Sequence, residues 1–385
     1  MRASQDSMPY LLELATRVAK ARAAAPPPPW LPSSAKEFLL QPLRSGGAAA
    51  VFRSPQQPPE ALGLVPASNT AIGAVDLVRL VPEGDARLPG AALVSNREYL
   101  EGELAPVIGR FESVHLVSYH PERRAVYRVQ GWWDNAPRVV FLKLLARSAF
   151  ERALATLRRL PAASCSIHLI TPILWLEPEA AHVTPTAPGE CLHSRLMRGD
   201  APPIDRLAGL LRSIRGIPVT TPMRPHTLSD ERDVTVRWLK RACILRPELA
   251  PLLELVHAVR DPAGDSASSF LHRDLHDKQI FVDGEELAII DLDGIGLGHA
   301  LIDAVNLAEH LRLRSLQEPT LCGHLATASR DLLRLLDIDI HDPLVCYLQG
   351  LTRARLAGVY AHRPLSHDLA ETLAREATSI LEDLA

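Results

Sequence analysis

No stretch of this chain approaches the roughly 18 consecutive apolar residues that a membrane-spanning helix needs, although 47% of its residues are hydrophobic. The apolar run Met8 to Leu14 is short, is interrupted by Glu13 and leads into no small-residue cleavage pattern, so neither insertion nor export is expected. Cysteine is sparse and unpatterned. Cys165, Cys191, Cys243, Cys322 and Cys346 are odd in number and widely spaced, with no C-x-x-C pair among them. That spacing argues against zinc or redox chemistry and for a reduced, cytoplasmic protein. Excess positive charge is missing too: 42 Lys and Arg against 45 Asp and Glu give a formal net charge of -3. Without a basic field, nucleic acid is a poor candidate partner. The phosphate-loop pattern G-x-x-x-x-G-K-[ST], the zinc pattern H-E-x-x-H and the nucleophile elbow G-x-S-x-G are all absent, which removes three large enzyme classes.

What remains is a 385-residue chain with room for two lobes and an extension. A helical pattern over Pro9 to Ala25 stops at Pro26-Pro27-Pro28-Pro29, and Pro, Gly, Ser and Ala dominate from there to about Asn69. We expect an N-terminal helix and a Pro-rich linker over 1–69, a partner-binding arm being the rival reading. Strand-like runs follow at Val114 to Tyr119, Ala125 to Trp133 and Val139 to Leu145. A helix is then expected from about Ser148 to Leu160, with Ser148 as N-cap and Glu151 completing a capping box. Two more strands, His168 to Leu176 and Ala181 to Thr186, end this part of the chain. Beyond Pro188-Gly189 the pattern is helical, with Leu249, Leu252, Leu253, Val256 and Val259 on one face. The one break is an expected hairpin, Gln279 to Val282 and Leu287 to Asp291, turned by Asp283-Gly284. The whole reads as α+β: a small β-rich lobe over 70–186 and a larger helical lobe over 187–385.

The densest chemistry brackets that hairpin. His272-Arg273-Asp274-Leu275-His276-Asp277-Lys278-Gln279 precedes it, and Asp291-Leu292-Asp293-Gly294 follows it. Phosphoryl transfer needs a carboxylate to take the proton of an attacking hydroxyl and oxygen ligands for a metal that holds the phosphates. A loop Asp, a side-chain amide five residues on and a second Asp across a hairpin supply them. His-Arg-Asp alone would be weak; the ordered set is specific.

These residues resemble the catalytic segment of the aminoglycoside phosphotransferase and choline kinase superfamily, relatives of the protein kinases, in an H-R-D-x-x-x-x-Q form found in bacterial members. The likeness is sharpest over His272 to Leu311 and extends loosely over about 110 to 365. It implies a bilobal protein-kinase-like fold, with ATP or GTP as phosphate donor, Mg2+, and a small-molecule hydroxyl as acceptor. By this resemblance Asp274 is the base, Arg273 and His276 hold its loop, and Asp303 braces it from a helix. Asp291 is then the main metal ligand, Gln279 stands where an Asn is usual, and Asp293 is either a second ligand or a solvated turn residue. In the small lobe, Lys143 at the end of Val139-Val140-Phe141-Leu142-Lys143 resembles the lysine that pairs the nucleotide phosphates, with Glu151 as its nearest candidate partner. Arg123 or Arg124 resembles the basic turn that meets phosphate, and Val183 and Thr184 resemble the hinge that holds a purine edge. Gly294-Ile295-Gly296-Leu297-Gly298 lacks dinucleotide-binding spacing and reads as a flexible turn.

The rival class is a nucleotide-binding pseudokinase, suggested by Gln for Asn and by the lack of a Gly-rich loop. Both carboxylates, Asp274 and Asp291, argue for the enzyme. From His299 onward there are 12 acidic residues and 8 arginines, which permits a cationic acceptor; a sugar, glycoside or amino alcohol fits equally.

Overall fold

The computed structural model describes residues 37–44, 48–54, 57–66, 75–158, 160, 167–217, 225–262, 269–363 and 366–384. The helix expected over Pro9 to Ala25 and the proline run after it lie outside the described residues. The chain divides into two compact units. One comprises Met1–Arg152, Pro172–Thr186 and His362–Leu365, the other Ala153–Thr171, Ala187–Ala361 and Ser366–Ala385. No described helix is long and apolar enough to cross a membrane.

The first unit opens with an antiparallel meander, β1 (Glu37–Pro42), β2 (Ala48–Ser54), β3 (Gln57–Pro66) and β4 (Val75–Leu80). Much of this was expected as linker. Ala and Pro are poor strand residues, but β2 is paired on both sides and Ala48, Ala49, Ala50 and Val51 are fully buried. Here pairing and burial overrule local propensity. Two short helices, α1 (Ala91–Ser95) and α2 (Arg97–Leu104), come next; the Asn96 side chain caps α2 by accepting from Tyr99 N–H. The strands β5 (Arg110–His120), β6 (Arg124–Trp133) and β7 (Ala136–Leu145) then pair antiparallel. Helix α3 runs over Arg147–Leu157, and the Ala146 carbonyl takes its first two N–H bonds. Ser148 therefore sits inside the helix, two residues too far along to cap it. The strand expected over His168 to Leu176 is two strands: β8 (His168–Leu169), which joins a sheet of the second unit, and β9 (Leu174–Leu176). With β10 (Ala181–Pro185) the first unit's main sheet has the order β5-β6-β7-β10-β9. Its alternating residues Val129, Val140, Leu142, Leu144 and Val183 pack against Leu93, Leu100 and Leu104 of the two helices.

The second unit is mainly helical. It contains β11 (Glu190–Cys191), α4 (Leu192–Met197), α5 (Ile204–Arg215), β12 (Pro225–His226), α6 (Leu228–Leu245), α7 (Ala250–Ala258) and β13 (Ser269–Leu271). The chain continues through β14 (Ile280–Asp283), β15 (Glu286–Ile289), β16 (Gly296–Gly298), α8 (Leu301–Gln317), α9 (Cys322–Leu335), α10 (Pro343–Ala361) and α11 (His367–Glu382). Helix α6 starts in a full capping box, Thr227 and Asp230 exchanging bonds with each other's backbone N–H. Leu252 and Val256 of α7, with Leu239 of α6 and Tyr347, Leu348 and Leu351 of α10, form its core. Asp283 pairs with Glu286, so the hairpin turns on Gly284-Glu285, one residue later than expected, with Gly284 at φ +52°. Gly296–Gly298 is no turn either. It is the middle strand of β12-β16-β13, where a Cβ on Gly298 would lie 2.4 Å from the His226 carbonyl oxygen.

Gly189 enters β11 at φ +74°, and a Cβ there would come within 2.1 Å of the Val282 carbonyl oxygen. Both the left-handed backbone and the close approach demand glycine. Gly209 in α5 faces open space. Gly189→Ala should destabilise the protein by more than about 1 kcal/mol, while Gly209→Ala should stabilise it by roughly 0.5–1 kcal/mol through helix propensity. Denaturant midpoints of the two variants check this; equal shifts in one direction would refute it.

Candidate active site

Each strand of the first unit's sheet alternates its side chains, and the register sets which ones meet. Lys143 of β7 lies opposite Val126 of β6 and His182 of β10, while Arg124 lies opposite Leu145. Arg124 is two residues from Val126, so Arg124, Lys143 and His182 share one face, with the two cations in diagonal positions. Lys143 is only 8% exposed, and the His182 ring packs on Trp175 at 5.3 Å. Val183 is buried between Leu142 and Leu174 and Thr184 is half-buried; β9 runs out opposite Val183, leaving Thr184 paired with β7 alone among the described residues. Glu151 stands on the exposed side of α3.

In the second unit the motif forms a pinned loop. The buried Asp303 carboxylate accepts the His272 N–H (2.6 Å) and the Arg273 N–H (2.8 Å). Arg273 is thereby held at φ +72°, a left-handed conformation rare for a non-glycine residue, and its guanidinium donates to the Gly294 carbonyl (3.1 Å). The His272 ring bridges the two halves of the motif, Nε2 donating to the Ile290 carbonyl (2.9 Å). Asp274 is left exposed, with its side chain 60% accessible.

Helix α8 addresses this loop one turn at a time. Asp303, Asn306, His310 and Arg314 recur at helical spacing and all are buried. Below the Asp303 contacts, Asn306 Nδ2 donates to the Leu275 carbonyl (2.8 Å), His310 stacks on His276 (4.7 Å) and Arg314 grips both oxygens of Asp277 (2.8 and 2.9 Å). His193 Nδ1 completes the Asp277 shell at 2.6 Å. Burial alone would push the Asp277 carboxyl up; the His193 hydrogen bond and the Arg314 charge hold it well below the usual carboxylate range. Burial pushes both His276 and His310 down, so the stacked rings are neutral. Ligand atoms of His276, Asp277 and His310 lie within 4.8 Å of one another, as in a cation site. Because Arg314 already occupies both Asp277 oxygens, the cluster braces the loop. His276 Nδ1 accepts the Lys278 N–H (3.1 Å), which leaves the Nε2 proton facing the Asp274 carboxylate at 3.9 Å.

Gln279 and Asp291 meet across the hairpin. The Gln279 amide nitrogen lies 3.4 Å from Asp291 Oδ2, and Asp291 is itself left-handed, at φ 61° and ψ 48°. A half-turn of the amide exchanges its nitrogen for its oxygen, giving a carboxylate and an amide oxygen side by side. That donor set fits Mg2+, which takes few protein oxygens and keeps its remaining positions for water and phosphate. Asp293 follows on the same segment, half-buried.

A family model described as the phosphotransferase enzyme family matches residues 141–336, which include Lys143, the whole loop and α8. The chain belongs to that family. Among solved structures, this phosphotransferase is similar to a Ralstonia eutropha protein classed with the aminoglycoside phosphotransferases, at 11% identity and a TM-score of 0.52, over 75% of this chain and 99% of that one. It also aligns with a thermostable mutant of the aminoglycoside phosphotransferase APH(4)-Ia, at 13% identity, TM-score 0.48, over 74% of this chain and 98% of that one. A third is the amicoumacin kinase hAmiN, solved with AMP-PNP, Ca2+ and amicoumacin, at 14% identity, TM-score 0.45, over 75% of this chain and 94% of that one. No curated protein sequence matches. The bilobal, protein-kinase-like α+β class expected from the sequence is the one the fold likeness supports.

Sequence reasoning missed Asn306, His310 and Arg314 as loop supports, and Asp277 as their buried anchor. The signal was there in Asp303, Asn306, His310 and Arg314, polar residues at 3-4-4 spacing and so on one face of the helix.

Arg314→Met leaves the Asp277 carboxylate buried without its main partner, at an expected cost of about 3–5 kcal/mol near neutral pH. Asp277 is depressed in the folded state, so its stabilisation is present above about pH 4 and is lost as pH falls towards its folded pKa. In the variant Asp277 rises and protonates easily. The stability gap between the two proteins should therefore narrow from pH 7 to pH 4; a gap independent of pH would show that the pair contributes no charge interaction.

Proposed function

We propose that this phosphotransferase moves the terminal phosphate of ATP or GTP to a hydroxyl group of a small molecule. The observation that carries this is the meeting of Gln279 and Asp291 on the loop-hairpin unit that also presents an exposed, loop-fixed Asp274. Asp274 accepts the hydroxyl proton as the acceptor oxygen bonds to the terminal phosphorus; the bond from that phosphorus to the bridging oxygen breaks, and the nucleoside diphosphate leaves. A Mg2+ ion held by Asp291 and Gln279, with Asp293 as a further candidate ligand, would neutralise charge on the phosphate oxygens. Arg124 and Lys143, at diagonal positions on one sheet face, suit the nucleotide's own phosphates. The backbone at Val183 and Thr184 suits the purine edge. Glu151, exposed on α3, is the weaker candidate for orienting Lys143. The acidic balance of the C-terminal helices permits a cationic acceptor, and a sugar, glycoside or amino alcohol fits equally.

The test is a screen of such compounds by nucleotide consumption, followed by variants. Asp274→Asn should lower transfer by about 10²-fold or more and leave nucleotide affinity unchanged in calorimetry, because Asp274 meets the acceptor. Gln279→Ala should raise the Mg2+ concentration needed for half-maximal rate, and Gln279→Asn should do so less. Transfer at the wild-type rate by Asp274→Asn would remove it as base. Nucleotide binding without turnover at any Mg2+ level would favour the pseudokinase.

A further inference from the structure

The turn between β5 and β6 is held more firmly than a hairpin turn needs. Arg123 N–H closes it on the His120 carbonyl at 3.0 Å. Pro121 takes the second place and Glu122 the third, at φ +61°, the pattern of a type II turn, whose third place calls for Gly or Asn. Glu stands there against that preference. Pro121 and Glu122 are both buried although they form the tip, while Arg123 is exposed and Arg124 half-buried. The partners of the turn explain this. Asp85 Oδ2 accepts the Glu122 N–H (2.6 Å) and the Tyr119 hydroxyl (3.0 Å), and its other oxygen accepts the Arg87 N–H (3.0 Å). The Glu122 carboxylate accepts the Arg44 N–H, just past β1, and lies 3.9 Å from Arg87 Nε. Gln41 Nε2 of β1 donates to the Pro121 carbonyl (3.2 Å), and Ala146 N–H donates to the Arg123 carbonyl (3.0 Å). Three consecutive turn residues are thus gripped, Pro121 and Glu122 by the N-terminal meander, which lies outside the 141–336 span that the family model matches.

We propose that Asp85 and Glu122 are positioning residues for the nucleotide phosphates: Asp85 fixes the backbone of the β5–β6 turn and the Glu122 side chain ties it to the meander, so that Arg123 and Arg124 meet phosphate from a preset place. Arg124 leaves this turn on the sheet face it shares with Lys143. The inference rests on the transfer reading above, in which these cations meet the phosphates. It goes further in giving the β1–β4 meander a task in nucleotide affinity. A turn that is already ordered need not be ordered on binding, which strengthens the complex. The effect falls on a nucleotide, whose phosphates reach the turn, and leaves the bare nucleoside unaffected.

The experiment titrates the full chain with MgATP and MgGTP by calorimetry and then compares the nucleotide that binds with its nucleoside, adenosine or guanosine, across variants. Asp85→Ala should weaken nucleotide binding about tenfold, the scale of one charge-assisted hydrogen bond, with nucleoside affinity unchanged. Asp85→Asn, which keeps one acceptor oxygen, should lose less. Glu122→Gly suits the left-handed backbone but releases the anchor, so nucleotide affinity should fall in it as well. In a background carrying Arg123→Ala and Arg124→Ala, Asp85→Ala should weaken the nucleotide no further, since it acts through those residues. If Asp85→Ala fails to fold, Gln41→Met reads the same grip through the Pro121 carbonyl. Wild-type nucleotide affinity in Asp85→Ala and Glu122→Gly, equal losses for nucleotide and nucleoside, or losses that multiply with the arginine substitutions would each overturn the inference while the transfer reading stands. A wild type that binds neither MgATP nor MgGTP would overturn the transfer reading and this inference with it.

Discussion

The two hydrogen bonds from His272 N–H and Arg273 N–H to the Asp303 carboxylate are the constraint on which the rest of the site depends. They hold Arg273 in a left-handed conformation that costs of the order of 1–3 kcal/mol for a non-glycine residue. That conformation turns the chain so that Asp274 emerges into solvent while the flanking His272 and Leu275 point inward. Asp303 itself is 2% exposed. Burial raises its carboxyl, His272 and the two N–H bonds draw it back, and the neighbouring Glu231 raises it again. The carboxylate is kept because removing it would leave two backbone donors buried without partners.

Beneath this point, acids and bases alternate. Asp303 is buried against the His272 and Arg273 N–H groups, Glu231 against His226, and Asp277 against Arg314 and His193. Such networks are costly to assemble and add little to net stability compared with an apolar core. What they supply is geometry, since every member has a fixed partner and the loop above cannot slide along α8. Neutral His276 and His310 fit this scheme, because two more cations beside Arg314 would weaken its hold on Asp277.

The meeting of Gln279 and Asp291 was legible because it is local. The two residues stand at the ends of one hairpin, so spacing alone brings them together, and the Asp-Gly pair located the turn to within one residue. Lys143 and Arg124 were named separately, and only the register of β6 against β7 shows that they share a face. Contacts between distant segments left no such trace. Asp277 and Arg314 are 37 residues apart, and nothing in the spacing pairs them until α8 is seen running beneath the loop. Residues 37–42, 48–54 and 57–66 misled for a different reason: their Ala, Gly and Pro content argues for linker, and only pairing on both sides of β2 makes them strands. Gly296–Gly298 repeats the lesson, since Gly298, which looks flexible in sequence, is required by the close approach of the His226 backbone.

The central proposal is that Gln279 and Asp291 share one cation. The most direct measurement is a crystal structure with Mn2+ and a non-hydrolysable ATP analogue, with the metal located by its anomalous scattering. The account predicts a peak within about 2.0–2.4 Å of one Asp291 oxygen and of the Gln279 amide oxygen. A metal on Asp291 with the Gln279 amide turned away, or a peak at His276 and His310 instead, would contradict it.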